Sequence, residues 1–378
     1  MISISRLEIV HTAQIIVVKV GTNVLTTREG LLNRQRINRL VEEICRIRTA
    51  SRPVILVSSG AVGAGVGLLG LPERPTDHPK LQAVAAIGQS ELMKAYEESL
   101  MNHNVFAGQV LLTAEDLSHR KRYLNIRNTF RSLLDYKALP IVNENDTVSV
   151  DELHSTFGDN DRLAALVANQ FPEPLLILLT DVDGLYTGDP ELPDSHLIPV
   201  VDRWSADLMD MVAEKRSKRS KGGMSSKLRA ARMVSNSGGS TIIANGDDEN
   251  ILTKIFSGQE VGTVFFPNKQ LQARKRWLGF SAAAKGQLVV DEGAAQALLH
   301  KGKSLLPIGV TDALGKFEKG DVVVVLTTDG TEIARGLSNY NTNDVLQIRR
   351  KRSGEIHDIL GYCPYEEVIS RDNIQILD

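Results

Sequence analysis

Cysteine is almost missing from this 378-residue chain: Cys45 and Cys363 are the only two, and they lie far apart. Neither a disulfide framework nor a metal-thiolate cluster is built from such a pair, so both are read as reduced thiols. An excess of charge of either sign is missing too. The 44 basic residues face 46 acidic ones, which argues against a nucleic-acid binder, a membrane-surface protein or an acidic tail and leaves small soluble substrates as the default. Long apolar runs are absent. The first, Ile15–Val20, falls far short of the roughly 20 residues of a membrane span, and the residues before it lack a signal-peptide layout. The expected address is therefore the cytoplasm, with no membrane.

What is present is a succession of short apolar runs closed by Gly, Ser, Thr or Asn: Ile15–Val20, Val54–Val57, Val105–Leu112, Leu139–Val142, Leu175–Leu179 and Thr241–Ala244. Unbroken runs of that length read as parallel strands buried on both faces. Helical periods alternate with them. Ile37, Leu40, Val41, Ile44 and Ile47 form one apolar stripe, while Arg34, Arg36, Arg39, Glu42 and Arg46 take the other face. Further helices are expected over 120–137 and 161–169. The fold class is α/β, an open, mostly parallel sheet sandwiched by helices, followed by a small, mostly β C-terminal domain. A chain of this length predicts two or three domains. The boundaries expected are 1–266 for the large domain, 267–285 for a linker, 286–362 for the small domain and 363–378 for a tail. Within the small domain, 321–327 and 331–338 flank Asp329-Gly330, a hairpin signal because glycine tolerates the positive φ of such turns.

In such sheets ligands gather at the C-terminal ends of the strands. Gly21-Thr22, Ser59-Gly60, Asn143 to Asp146 and Thr180-Asp181 all fall there. Lys19 sits inside an apolar strand, where a charge is costly unless it meets an anion or a carboxylate. Lys227 stands at the start of a helix after Gly222-Gly223-Met224-Ser225-Ser226, a place where a cation is unfavourable unless something negative binds. A salt bridge is the ordinary explanation for the first; a bound phosphate is the economical one for the second. The basic run from Lys215 to Lys221 reads equally well as a solvated loop. Asp159 can cap the helix after it, but capping does not account for Asn160 and Asp161, which suit a substrate ammonium and the orientation of the two lysines. Turn formation by Asx side chains competes with substrate contact at Asn143 and Asp146.

Two other matches are discounted. Gly65 to Gly70 satisfies GxGxxG but begins well past the strand end, so Gly63, Gly65 and Gly67 are expected to serve close packing of a helix against the sheet. Gly302-Lys303-Ser304 lacks the upstream glycine of a phosphate loop, Ala297 standing in its place.

Taken in order, Val17 to Thr22, Ser58 to Ala61, Ile141 to Asp146, Gly158 to Asp161, Leu179 to Asp181 and Gly222 to Lys227 resemble the amino acid kinase superfamily, in the branch that ends in a PUA-like domain. The resemblance runs over nearly the whole chain. It implies ATP-dependent phosphorylation of the γ-carboxylate of L-glutamate, the first step of proline biosynthesis, with Mg²⁺ carried by ATP and no metal site of the protein's own. Lys19, Lys227 and Asp161 become the catalytic group by this resemblance. Ser59, Gly60, Asn143, Asp146, Asp159 and Asn160 become the substrate site. Lys19, Gly21, Thr180, Asp181, Lys221, Gly222, Gly223, Met224, Ser225, Ser226 and Lys227 become the nucleotide site, with Gly21 and Gly60 as backbone N–H donors. Lys221 departs from the family pattern: relatives carry a hydroxyl there, and here an ammonium is the group on offer. Proline as feedback inhibitor, a homodimer or homotetramer, and transient contact with glutamate-5-semialdehyde dehydrogenase are further implications.

The chemistry stands beside the resemblance. A carboxylate acceptor, with an ordinary pKa of about 4.3, arrives ionised and needs no general base, so the absence of a conspicuous histidine is no obstacle. The difficulty is the approach of two anions, which lysines, Mg²⁺ and N–H groups offset. Rival acceptors on the same fold are N-acetylglutamate, aspartate, carbamate and uridine monophosphate. A rival of another class is RNA binding by the small domain, against which stand its nine Lys and Arg to ten Asp and Glu over 286–362.

Overall fold

The computed structural model describes residues 6–27, 29–49, 52–148, 160–202, 204, 208, 223–267 and 282–377. The chain divides into two compact units, one falling within 1–116 and 123–270, the other within 117–122 and 271–378.

The larger unit is built on an eight-stranded sheet in the order β3-β4-β2-β1-β5-β7-β8-β6. Its strands are β1 (Ile15–Val20), β2 (Val54–Ser58), β3 (Ala107–Leu112), β4 (Leu139–Glu144), β5 (Pro174–Thr180), β6 (Val200–Val201), β7 (Ser240–Asn245) and β8 (Thr263–Phe265). From β3 to β7 every pairing is parallel. The sheet then reverses, β8 running antiparallel to β7 and parallel to β6. β1, β2 and β5 are buried at every position, as expected of central strands covered on both faces. The edge strand β3 is fully buried only at Leu112, for want of a neighbour on one side.

Helix Arg34–Ile47 turns Ile37, Leu40, Val41, Ile44 and Ile47 inward and starts on an Asn33 cap that accepts from Arg36 N at 3.1 Å. Helices Ala61–Leu69 and His78–Met101 pack against each other. A Cβ on Gly65 would stand 2.0 Å from Val84 O, and one on Gly88 would stand 1.8 Å from Ala61 O. Only glycine permits that approach. Gly63 instead faces Gly30 O, and Gly67 faces the Leu31 side chain. The glycine run therefore serves close packing, but against a helix and the 30–31 segment rather than the sheet; a second helix lies where the sequence pattern suggested strand backbone.

The smaller unit is a five-stranded sheet in the order β10-β9-β11-β12-β13, with β9 (Gly286–Val290), β10 (Val310–Gly315), β11 (Val322–Leu326), β12 (Glu332–Leu337) and β13 (Ile374–Ile376). β9 and β11 are parallel and the other pairs antiparallel. Gly330 at the β11–β12 turn has φ +88°, as the hairpin signal requires. Gly302 also has positive φ, as the C-cap of helix Glu292–Lys301, which disposes of the phosphate-loop match. One expectation fails: 363–378 is not a tail. Val368 and Ile369 are fully buried and β13 pairs with β12, because the sheet has an open edge that the last apolar residues of the chain fill. Of the expected linker, 268–281 lie outside the described residues.

Candidate active site

Four loops meet beyond the C-terminal ends of β1, β2, β4 and β5, where the strand order turns back on itself. Lys19, the penultimate residue of β1, lies between Val57 and Leu178 in register and is 6 % exposed. Its ammonium is 2.6 Å from Asp161 Oδ1. Lys227, in the first turn of helix Met224–Asn236 and 8 % exposed, reaches Asp161 Oδ2 at 3.2 Å. Ser226 Oγ donates to the same oxygen at 2.6 Å. The negative group demanded by a lysine at a helix start is thus first of all Asp161, itself in the first turn of helix Asn160–Ala168, where a carboxylate suits the helix dipole.

Burial pushes the Asp161 carboxyl up, but Lys19 and Lys227, with hydrogen bonds from Lys19 and Ser226, outweigh it and hold the group below the usual carboxylate range. The site therefore contains a fixed anion between two fixed cations.

Asn160, beside Asp161, is 3 % exposed. Its Nδ2 donates to Ser58 O and Ser59 Oγ at 3.0 Å and to Asn143 Oδ1 at 2.9 Å, whereas its buried Oδ1 has no partner among the described residues. A buried acceptor left open beside a polar cavity can take a donor from a water or a ligand. Asn160, Asn143, Ser59, Gly60 and the Asp146 segment line one cavity of about 360 Å³, into which Arg74, Glu73 and Glu29 also project. Gly60 caps helix Ala61–Leu69 with φ +104° and no side-chain cap, so the helix N-terminus opens at the cavity with its N–H groups uncapped by any side chain.

Thr180 Oγ1 donates to Asp181 Oδ1 at 3.0 Å and Asn23 Nδ2 donates to Oδ2 at 2.8 Å. Burial raises the Asp181 carboxyl, but these bonds and the Lys227 charge leave it below its ordinary value. Gly223 caps the Lys227 helix, accepting from Ser226 N at 3.0 Å; Met224 and Ser225 fill the first turn, and no side chain caps that helix either.

The structure thus brings Lys19, Lys227, Asp161 and Ser226 together, sets Asn160, Asn143 and Ser59 alongside, and joins Thr180-Asp181 to the cluster through the field of Lys227. Neither Lys19 nor Lys227 is among the residues that line the 360 Å³ cavity. Gly21 departs from expectation: its N–H donates to Leu179 O at 3.1 Å and is not directed at a ligand. A Cβ there would lie 3.8 Å from the Lys19 ammonium, so the residue leaves room beside that charge. Asp159, Lys221, Gly222 and the basic run before them lie outside the described residues. Asn23 and Gln89 were not foreseen; neither stands in a motif, and only their tertiary neighbours give them a role.

A mostly parallel sheet with two lysines bridged by an aspartate at its switch point is an arrangement suited to phosphoryl transfer. Residues 14–245 match the amino acid kinase family and residues 286–360 the PUA domain. The chain belongs to the amino acid kinase family. Over 370 residues it is 49 % identical to the glutamate 5-kinase of Rhodopirellula baltica, covering 98 % of this chain and 95 % of that one. It is 46 % identical over 365 residues to the glutamate 5-kinase of Caldanaerobacter subterraneus subsp. tengcongensis (96 % and 98 % covered), and 44 % identical over 374 residues to that of Geobacter sulfurreducens (98 % and 100 % covered).

Proposed function

We infer that this protein transfers the γ-phosphoryl group of ATP to the γ-carboxylate of L-glutamate, forming L-glutamyl 5-phosphate and ADP, the first step of proline biosynthesis. The observation that carries the reading is the convergence of Lys19 and Lys227 on Asp161, in a chain alike over its full length to glutamate 5-kinases. Two anions must approach, the acceptor carboxylate and the terminal phosphate, and two ammonium groups fixed beside them offset that repulsion. Asp161 holds both in place before substrate arrives, so little reorganisation accompanies the transfer. No base is required, since the acceptor is already ionised.

The uncapped N-terminus of helix Ala61–Leu69 and Ser59 suit an anionic end of the acceptor; the orphaned Asn160 Oδ1 and the Asp146 carboxylate suit its ammonium. Thr180-Asp181 and the N-terminus of helix Met224–Asn236 suit the nucleotide. Among the described residues no three His, Cys, Asp or Glu side chains group so as to hold a metal, and both Asp161 oxygens are engaged by cations. Mg²⁺ brought in on the nucleotide phosphates belongs to the same reading, where it would withdraw charge from them. Among the described residues no helix is long and apolar enough to cross a membrane; a cytoplasmic address, a homo-oligomer and feedback by proline belong to the same reading.

The test is ATP consumption by the purified protein with L-glutamate, the acyl phosphate being trapped as its hydroxamate. Glutamate-dependent ADP release with matching hydroxamate is expected. Faster turnover with N-acetylglutamate, aspartate, carbamate or uridine monophosphate would show the acceptor to be wrong.

A further inference from the structure

Helix His78–Met101 sends Gln89, 9 % exposed, toward the site. Gln89 Oε1 accepts from Asn143 Nδ2 at 2.8 Å. Asn143 Oδ1 in turn accepts from Asn160 Nδ2 and from the Glu144 backbone N–H, each at 2.9 Å. Two backbone groups fix the sense of this relay. The Glu144 N–H can only donate, so oxygen is the Asn143 atom facing it; the Ser58 carbonyl can only accept, so nitrogen is the Asn160 atom facing it. Asn160 Oδ1 is thereby turned away from all three acceptors and left as the group for a substrate donor.

Asn143 is 4 % exposed, and Gln89 supplies the acceptor its Nδ2 needs there. Without that acceptor the Asn143 amide turns toward the open cavity to find water and lets go of Asn160. We propose that Gln89 is a positioning residue for the amino-acid substrate, holding Asn143 and through it Asn160 in the orientation that meets the substrate ammonium. This rests on the glutamate-phosphorylating reading above. Gln89 touches no reacting atom, so its effect falls on the acceptor and not on ATP.

The test compares Gln89→Met, which keeps length and removes the acceptor, with Gln89→Glu, which keeps an oxygen in the same place. For Gln89→Met the KM for L-glutamate should rise about tenfold, with kcat and the KM for ATP within about threefold of the parent. Gln89→Glu should restore the glutamate KM to within about twofold of the parent. A parental glutamate KM in Gln89→Met, or equal impairment of both variants, overturns the proposal. Should Gln89→Met fail to fold, the isosteric pair decides. Asn143→Asp is met by a Gln89 amide that turns to donate, but combined with Gln89→Glu it sets two carboxylates face to face. The double variant should raise the glutamate KM by more than the product of the single effects; a simple product sinks the relay. A parent that turns over glutamate while the variants behave alike removes only the relay, whereas a parent inert toward glutamate removes both readings.

Discussion

Asp161 has two jobs that separate under mutation. It pairs with Lys19 and Lys227, both buried, and it sets the gap between them. Asp161→Asn leaves two ammonium groups with a neutral partner, and breaking a buried pair this way costs about 3–5 kcal/mol; a lowered melting temperature at pH 7 is expected. Because the folded-state pKa of Asp161 is depressed, its contribution is fully present above the unfolded value of about 3.9 and is lost as pH falls through the folded value. The stability difference between parent and Asp161→Asn should therefore be constant from pH 7 to about 5 and shrink below about 4, read from denaturant melts across that range. A gap that stays unchanged at pH 3 would contradict the assigned direction. If the proposed phosphoryl transfer runs between these lysines, Lys19→Ala and Lys227→Ala should each lower kcat by about 100-fold or more while the glutamate KM moves far less. Near-parental turnover in either variant would take that lysine out of the mechanism.

Among the elements, helix Ala61–Leu69 matters most to the proposed acceptor site, since its N-terminus opens at the 360 Å³ cavity and its position is set by contact with helix His78–Met101. Gly88→Ala drives a methyl into Ala61 O, one residue from the Gly60 cap. Overpacking of this kind costs about 1–3 kcal/mol and sometimes more, and here it should also raise the glutamate KM by displacing the cap. Gly70→Ala is the control. Gly70 has φ +60° but nothing within 4 Å of the added carbon, so only the left-handed backbone penalty of about 1–2 kcal/mol applies and the KM should not change. Equal melting temperatures and KM values for the two variants would show that the close approach has no functional weight. Glu43 is another element-scale device: it is buried and accepts from Leu252 N at 2.8 Å, tying helix Arg34–Ile47 to the start of helix Ile251–Phe256. The pocket of about 190 Å³ beside it is bordered by ion pairs such as Arg39–Glu249, so its polar lining is already satisfied from within the fold.

For the whole molecule, the smaller unit is completed by residues beyond 362. Stopping the chain there removes Val368, Ile369 and Ile374 from its core and β13 from its sheet. At about 1.5–3 kcal/mol for each buried aliphatic side chain, the loss rivals the stability of a domain this size. A chain ended at 362 should expose 286–362 to limited proteolysis while the larger unit survives. Resistance equal to that of the full chain would place the small unit's stability elsewhere.

Much of this protein is set locally and so is legible in order along the chain. The six apolar runs became β1, β2, β3, β4, β5 and β7, the Ile37–Ile47 stripe became a buried helical face, and Asp329-Gly330 became a turn. These arise from periodicity and backbone sterics, which involve near neighbours only. The types of residue in the site were visible for the same reason: a lysine inside an apolar strand and polar clusters at strand ends are local anomalies. Tertiary structure alone decided how they join. The packing of strands and helices carries Lys19 and Lys227 from distant stretches onto the Asp161 carboxylate, turns the Gly21 N–H to Leu179, lays the glycine run against a neighbouring helix, and connects Gln89 to Asn143. None of those contacts has a spacing in sequence, because each is fixed by which strands and helices lie side by side in space, a matter on which adjacency along the chain is silent.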